Sequence, residues 1–251
     1  DGDELRDVFE RAIPERGEPL YCAVAGSHLH GVAGPDSDVD LRGVHVVPAE
    51  RHTLLDRPAA QVTVNQDGTS EGFADVPDVE VVSYELRTFG VHVAGGDVNV
   101  LEVLFADDPV VAAPSAMDPL REVVADHLPL DVPRGYAGMA RENWDGRERP
   151  PTAKRALRVL RGLLAARYVS EEAAVEPDAL ALAEHGLDDP GLVEELVAVR
   201  RSGADARPGP ELAARTGSVV ETLFDEVDPR EDVGGDRIRD AVDEWMLAVR
   251  A

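Results

Sequence analysis

Residues 20–48 read LYCAVAGSHLHGVAGPDSDVDLRGVHVVP, and this stretch decides how the chain is read. Its two apolar runs, 20–25 and 39–47, have the length and composition of strands. Asp38 and Asp40 are alternate residues, so on an extended chain their carboxylates project from one face. That is the spacing a divalent-metal site needs. Gly26-Ser27 follows the first run, where free backbone N–H groups and a hydroxyl can hold phosphate oxygens. A phosphate grip beside a metal grip is the minimum apparatus for moving a nucleotidyl group.

Competing motifs fail on spacing. A P-loop requires Gly-Lys-Ser/Thr after its four-residue spacer, and this chain has Gly31-Val32-Ala33 there. An EF-hand loop starting at Asp36 would need Gly and Glu where Leu41 and Val47 stand. His28-Leu29-His30 has no Cys or His cluster to complete a zinc site.

The segment Gly-Ser, spacer, Asp-x-Asp resembles the DNA polymerase β-like nucleotidyltransferase superfamily. Within it, GSHLHGVAGPDSDVDLRGV is similar to a bacterial and archaeal branch associated with RNA repair. His28 and His30 stand where that branch tends to have Arg and an aromatic residue. The resemblance implies an α/β (α+β) catalytic domain with a short mixed sheet, followed by an α-helical domain. It further implies transfer of NMP from an NTP to an acceptor hydroxyl, with an RNA end as acceptor. Two other readings belong to the same fold: AMP transfer to a protein hydroxyl, as in antitoxin-type members, and a nucleotide-sensing module without catalysis.

Nucleotidyl transfer must stabilise charge on the α-phosphate and the leaving pyrophosphate while acidifying the attacking hydroxyl. Two Mg²⁺ ions, or Mn²⁺ in their place, do all three. Asp38 and Asp40 are the expected ligands, because Mg²⁺ takes a few carboxylates together with phosphate oxygens and water. In DVEVVSYELRTF (78–89) Asp78 and Glu80 are a second alternate pair. Matching YELRTF and GDVNVLEVLF (96–105) to the family pattern implies Glu80 as the third carboxylate, where Asp is usual. Arg42 shares the strand face of Asp40 and is a candidate phosphate contact or an ion-pair arginine. Glu102 matches a recurrent family glutamate and reads as structural.

In PTAKRALRVLRGLLAARY (151–168) Lys154, Arg158 and Arg161 fall on one side of a helix, next to a stripe of Leu157, Leu160 and Leu164. The resembling branch carries Lys, His and Arg at these intervals, which implies triphosphate contacts. Tyr136 and Trp144 read as packing anchors rather than base-stacking platforms.

Composition sets the background. The 251 residues include 50 acidic and 25 basic ones, net −25, and Lys154 is the single lysine. Acid excess with lysine nearly absent resembles a halophilic archaeal cytosolic protein, since molar salt cuts the Debye length to about 3 Å. Such a surface repels a phosphate backbone, so any nucleic acid must be met by a local basic patch. Cys22 alone cannot form an internal disulfide. No apolar run approaches 18 residues and no basic-then-apolar leader opens the chain, so neither membrane span nor secretion signal is expected, and a cytoplasmic location is.

Periodicity places helices over 3–13, 84–93, 98–105, 118–127, 152–168, 192–201, 211–227 and 236–250, and a third strand over 79–83. Residues 48–77 read as a turn-rich excursion. The last helix carries Ile238, Val242, Trp245 and Val249 on one stripe and is expected to close a helical bundle. Domains are expected over 1–112 and 113–251.

Overall fold

The computed structural model describes residues 2–14, 17–64, 79–129, 131–144, 150–227 and 236–251. The chain divides into two compact units. Unit 1 is Asp1–Gly26, Asp38–Pro129 and Gly234–Ala251; unit 2 is Ser27–Ser37 and Leu130–Val233.

Unit 1 is built on a five-stranded mixed sheet. Its strands are β1 (Glu18–Ala25), β2 (Val39–Val46), β3 (Gln61–Val64), β4 (Val79–Glu85) and β5 (Pro109–Val111), in the order β3-β4-β2-β1-β5. Only β2 and β4 run parallel. Helix α1 (Gly2–Ala12) covers one face, where Val8 and Phe9 pack with Cys22, Leu41 and Val81. Each large apolar side chain fully buried there contributes about 1.5–3 kcal/mol. Strand alternation then turns Asp40 and Arg42 to the opposite face, towards α3 (Leu86–Ala94) and α4 (Val98–Leu104). Tyr21 anchors that side by donating to the Val103 carbonyl at 2.7 Å.

Helices α5 (Pro114–Asp126) and α11 (Asp236–Val249) belong to this unit as well. The stripe expected on the last helix is buried at Ile238, Val242 and Trp245. It packs on α3 and α5, and not in the helical bundle. Trp245 donates to the Ala116 carbonyl at 2.6 Å and its ring lies 6.5 Å from that of Phe89. The expected boundary near residue 112 therefore falls inside unit 1. Periodicity shows which face of a helix is covered, but not which element covers it.

His45 lies fully buried on the α1 side of β2. Its Nδ1 shares a 2.8 Å hydrogen bond with Ser83 Oγ, while Nε2 has no partner among the described residues. Burial pushes its pKa below the ordinary 6.5, and Glu85 pulls weakly the other way. The folded protein thus binds this proton less readily than the unfolded chain. Stability is complete above pH 6.5 and is lost as pH falls below it, by at most about 1.4 kcal/mol per pH unit for one proton. Urea denaturation between pH 7.5 and 5.5 should show that slope, and His45→Asn should flatten it.

Unit 2 is helical. The short α2 (Gly26–Leu29) begins at the last residue of unit 1, and α6 (Val132–Asn143), α7 (Ala153–Glu172), α8 (Ala179–Gly186), α9 (Gly191–Arg201) and α10 (Pro210–Glu226) follow. Helix α7 is the hub: α6, α8, α9 and α10 all pack on it. Thr152 caps its start by accepting from Arg155 N, and Ala173 ends it in the left-handed region. Gly162 lets α6 approach closely, since a Cβ there would lie 3.2 Å from Ala140 Cβ.

Candidate active site

In unit 1 the first signature residue ends β1. Gly26 sits at φ +62°, and a Cβ added there would run into Oδ2 of Asp40. Asp40 faces Ala25 across β1 and is in register with Glu80 on the parallel neighbour β4. Neighbouring strands lie about 4.8 Å apart and paired residues share a face, so these carboxylates emerge side by side. Both are partly exposed, as a site open to solvent and ligand requires, and Asp38, one residue before β2, is exposed. Asp78, the alternative third carboxylate, lies outside the described residues.

Arg42, two residues beyond Asp40, lies beside the Tyr84 phenol. Burial raises that phenol's pKa, and the Arg42 charge opposes the rise. Tyr84 also packs against His92, with the rings tilted, and His92 pairs with Asp97 at 2.9 Å. Arg42 is thus engaged with a tyrosine on the next strand. Glu102 is buried within α4, consistent with a structural role.

Among the described residues, no three His, Cys, Asp or Glu side chains converge as a group able to hold a metal by themselves. The donors present nevertheless suit Mg²⁺. They are hard carboxylate oxygens, paired by strand register at Asp40 and Glu80, beside a glycine whose missing Cβ makes room for the Asp40 carboxylate. Mg²⁺ characteristically takes one or two carboxylates and completes its shell with water and phosphate oxygens.

In unit 2 the spacer between the two signature pairs is fastened to the helices. The Ser27 carbonyl accepts from Val32 N at 3.0 Å. His30 accepts at its carbonyl from Ala179 N at 3.1 Å. Gly31, at φ +70°, lies so close to Asp178 that a Cβ would sit 2.6 Å from its Oδ2. Asp178 in turn caps α8 by accepting from Leu180 N and Ala181 N. His28 is exposed and its Nε2 lies 3.5 Å from the Ser37 carbonyl, a contact to the turn itself.

Arg200 holds the far end of the spacer. It is 1% exposed, pairs with Asp36 at 2.5 Å, and donates to Ser37 Oγ and the Ala204 carbonyl. Gly34 admits it, because a Cβ there would lie 2.5 Å from the guanidinium carbon. The Arg200 guanidinium holds the Asp36 carboxyl below its ordinary range, and the Lys154 charge adds to this. Sequence reading does not single out Arg200. Its one signal is local: it continues the buried stripe Val193, Leu196, Val197 on α9, where an arginine requires a partner.

The basic stripe of α7 splits. Lys154 and Arg158 are exposed, but Arg161 is 7% exposed and lies over the Tyr136 ring, 6.0 Å from its centre. Arg158 reaches Asn143 Oδ1 at 3.5 Å. Tyr136 is fully buried on α6, so it packs and offers no stacking surface.

A mixed sheet with a Gly-Ser turn after β1 and paired carboxylates on two parallel strands defines the polymerase β-like nucleotidyltransferase class. Residues 6–248 match the RNA repair pathway DNA polymerase beta family, and the chain belongs to it. Membership makes nucleotidyl transfer the expected activity class and associates the chain with RNA repair. No curated protein matches the chain. No helix among the described residues is long and apolar enough to cross a membrane.

Proposed function

We propose that this protein is an Mg²⁺-dependent nucleotidyltransferase that moves NMP from an NTP to the hydroxyl of an RNA end. The observation that carries the reading is the register of Asp40 with Glu80, beside a glycine that makes room for the Asp40 carboxylate. Gly26 and Ser27 hold the triphosphate, and Asp38, Asp40 and Glu80 hold the ions. When bound, two Mg²⁺ ions neutralise the α-phosphate and pyrophosphate and acidify the attacking hydroxyl. In this proposal Glu80 accepts the hydroxyl proton. The oxygen–phosphorus bond then forms as the bond to pyrophosphate breaks, and pyrophosphate leaves with its charge. Lys154 and Arg158 are the exposed cations of α7 proposed to contact the triphosphate. Arg161 serves the α6–α7 packing in this scheme.

The test uses each labelled NTP with Mg²⁺ or Mn²⁺ in molar KCl, as the acid excess advises, with short RNA, DNA or no acceptor. Labelled RNA, reduced at least about 10³-fold in Asp38→Ala/Asp40→Ala, is the expected result. Label on the protein itself would instead favour the protein AMP-transferase reading. Nucleotide binding without pyrophosphate release under any condition would end both enzyme readings.

A further inference from the structure

At the other end of the same strands lies a cavity. Its volume is about 450 Å³, and it is lined by His52, Arg57, Glu85, Arg87 and Thr88 with the apolar stretch 58–60. The register Asp40↔Glu80 and His45↔Glu85 sets it five residues along β4 from the carboxylate pair. At about 3.3 Å per residue that is roughly 16 Å, so the cavity is not part of the first site.

Its charge is unusual for a chain of net −25. Glu85 is the single carboxylate among the described lining residues, it is 3% exposed, and its oxygens are already satisfied. Oε2 accepts from Arg87 N at 2.9 Å and Oε1 from Arg250 at 2.5 Å, with His52 Nε2 3.3 Å away. Arg250 thereby neutralises it. The guanidinium groups of Arg57 and Arg87 are exposed, and neither has a hydrogen-bond or ion-pair partner among the described residues. Acidic side chains outnumber basic ones two to one, yet these two arginines share a cavity without pairing. Thr88 adds a hydroxyl.

Two planar forks and a hydroxyl around one cavity are the chemistry that recognises phosphate oxygens. The volume falls in the range of ordinary ligand sites and exceeds what a bare ion needs. We propose that this cavity is a second phosphate site, which takes a phosphate ester through Arg57 and Arg87. The ester comes either from an RNA backbone or from a free nucleotide. An acid-rich surface repels phosphodiesters elsewhere, so a local cationic cavity is where one is held.

The probes are fluorescein-labelled single-stranded RNA, AMP and inorganic phosphate, titrated from 0.2 to about 2 M KCl. The proteins are the wild type, Arg57→Gln/Arg87→Gln and Arg57→Lys/Arg87→Lys. For RNA, the glutamine variant should bind about tenfold more weakly, with its slope of log K against log[KCl] shallower by about 1.4. The lysine variant should keep the slope. Sensitivity confined to RNA assigns the backbone as source; equal sensitivity for AMP or phosphate assigns the free ester. Unchanged binding of every probe by the glutamine variant overturns the proposal. Because binding is the readout, failure of the nucleotidyl-transfer reading would not mimic that outcome.

Discussion

Replacing Gly26 by alanine should reduce nucleotidyl transfer by about 10²-fold or more while leaving a folded protein. Two effects act at this position. The backbone is left-handed, at φ +62°, which disfavours any L-side chain by about 1–2 kcal/mol. The added methyl also meets Asp40 Oδ2 well inside van der Waals contact. The obstructing atom is the end of a side chain, so rotation of the carboxylate relieves the clash more cheaply than a shift of β1. That relief turns Asp40 away from the position it shares with Glu80. The fold therefore survives and the site does not. Thermal denaturation should show a fall of a few degrees, about 2–4 °C for each kcal/mol in a chain of this size. Pyrophosphate release should approach that of Asp40→Asn. Activity within threefold of wild type would show that Asp40 does not work from its position beside Gly26, and would remove the main geometric support for the site.

What is legible in the sequence is what local periodicity encodes. Strands β1, β2 and β4 and helices α1, α3, α4, α7, α9, α10 and α11 follow from apolar spacing, and Gly26, Asp38 and Asp40 from their intervals. Strand β3 is hidden in a polar excursion, because QVTV is an edge strand with a single buried residue, Val64. Helix α6 is masked by Gly135 and Gly138, whose low propensity is overridden by packing on α7. Helix α8 does carry a readable start: Asp178, which caps two backbone N–H groups. Partners are the harder quantity. The buried stripe of α11 can be read from spacing, but its neighbours α3 and α5 cannot. Arg161 shares an arc with Lys154 and Arg158, yet it is buried over Tyr136. Arg200 lies 163 residues from the serine it contacts, and no local pattern joins them.

That long-range contact yields the second large effect, which differs between the two partners. Asp36→Ala should destabilise the protein more than Arg200→Met does. Arg200 is 1% exposed, so removing Asp36 strands a buried guanidinium with only Ser37 Oγ and the Ala204 carbonyl as acceptors among the described residues. An unpaired buried charge is among the costliest defects in a folded chain, and a fall in melting temperature of roughly 10 °C is expected. Removing Arg200 leaves a carboxylate that is 39% exposed and hydrates readily, while methionine fills most of the vacated space. The double variant should recover part of what Asp36→Ala loses, since it removes the stranded charge along with its partner. The pair should also respond to acid in a fixed direction. Asp36 has its pKa lowered in the folded state, so its contribution is present above the ordinary value of 3.8 and is lost as pH falls through the lowered one. Arg200→Met should lack that component. Denaturation of all four proteins at neutral pH gives the cycle. Equal losses for the two single variants, with strict additivity in the double, would show that Arg200 and Asp36 are neighbours without coupling. Coupling, in contrast, would make the segment between Ser27 and Asp38 a strut braced from α9, held through a residue that the signature does not contain.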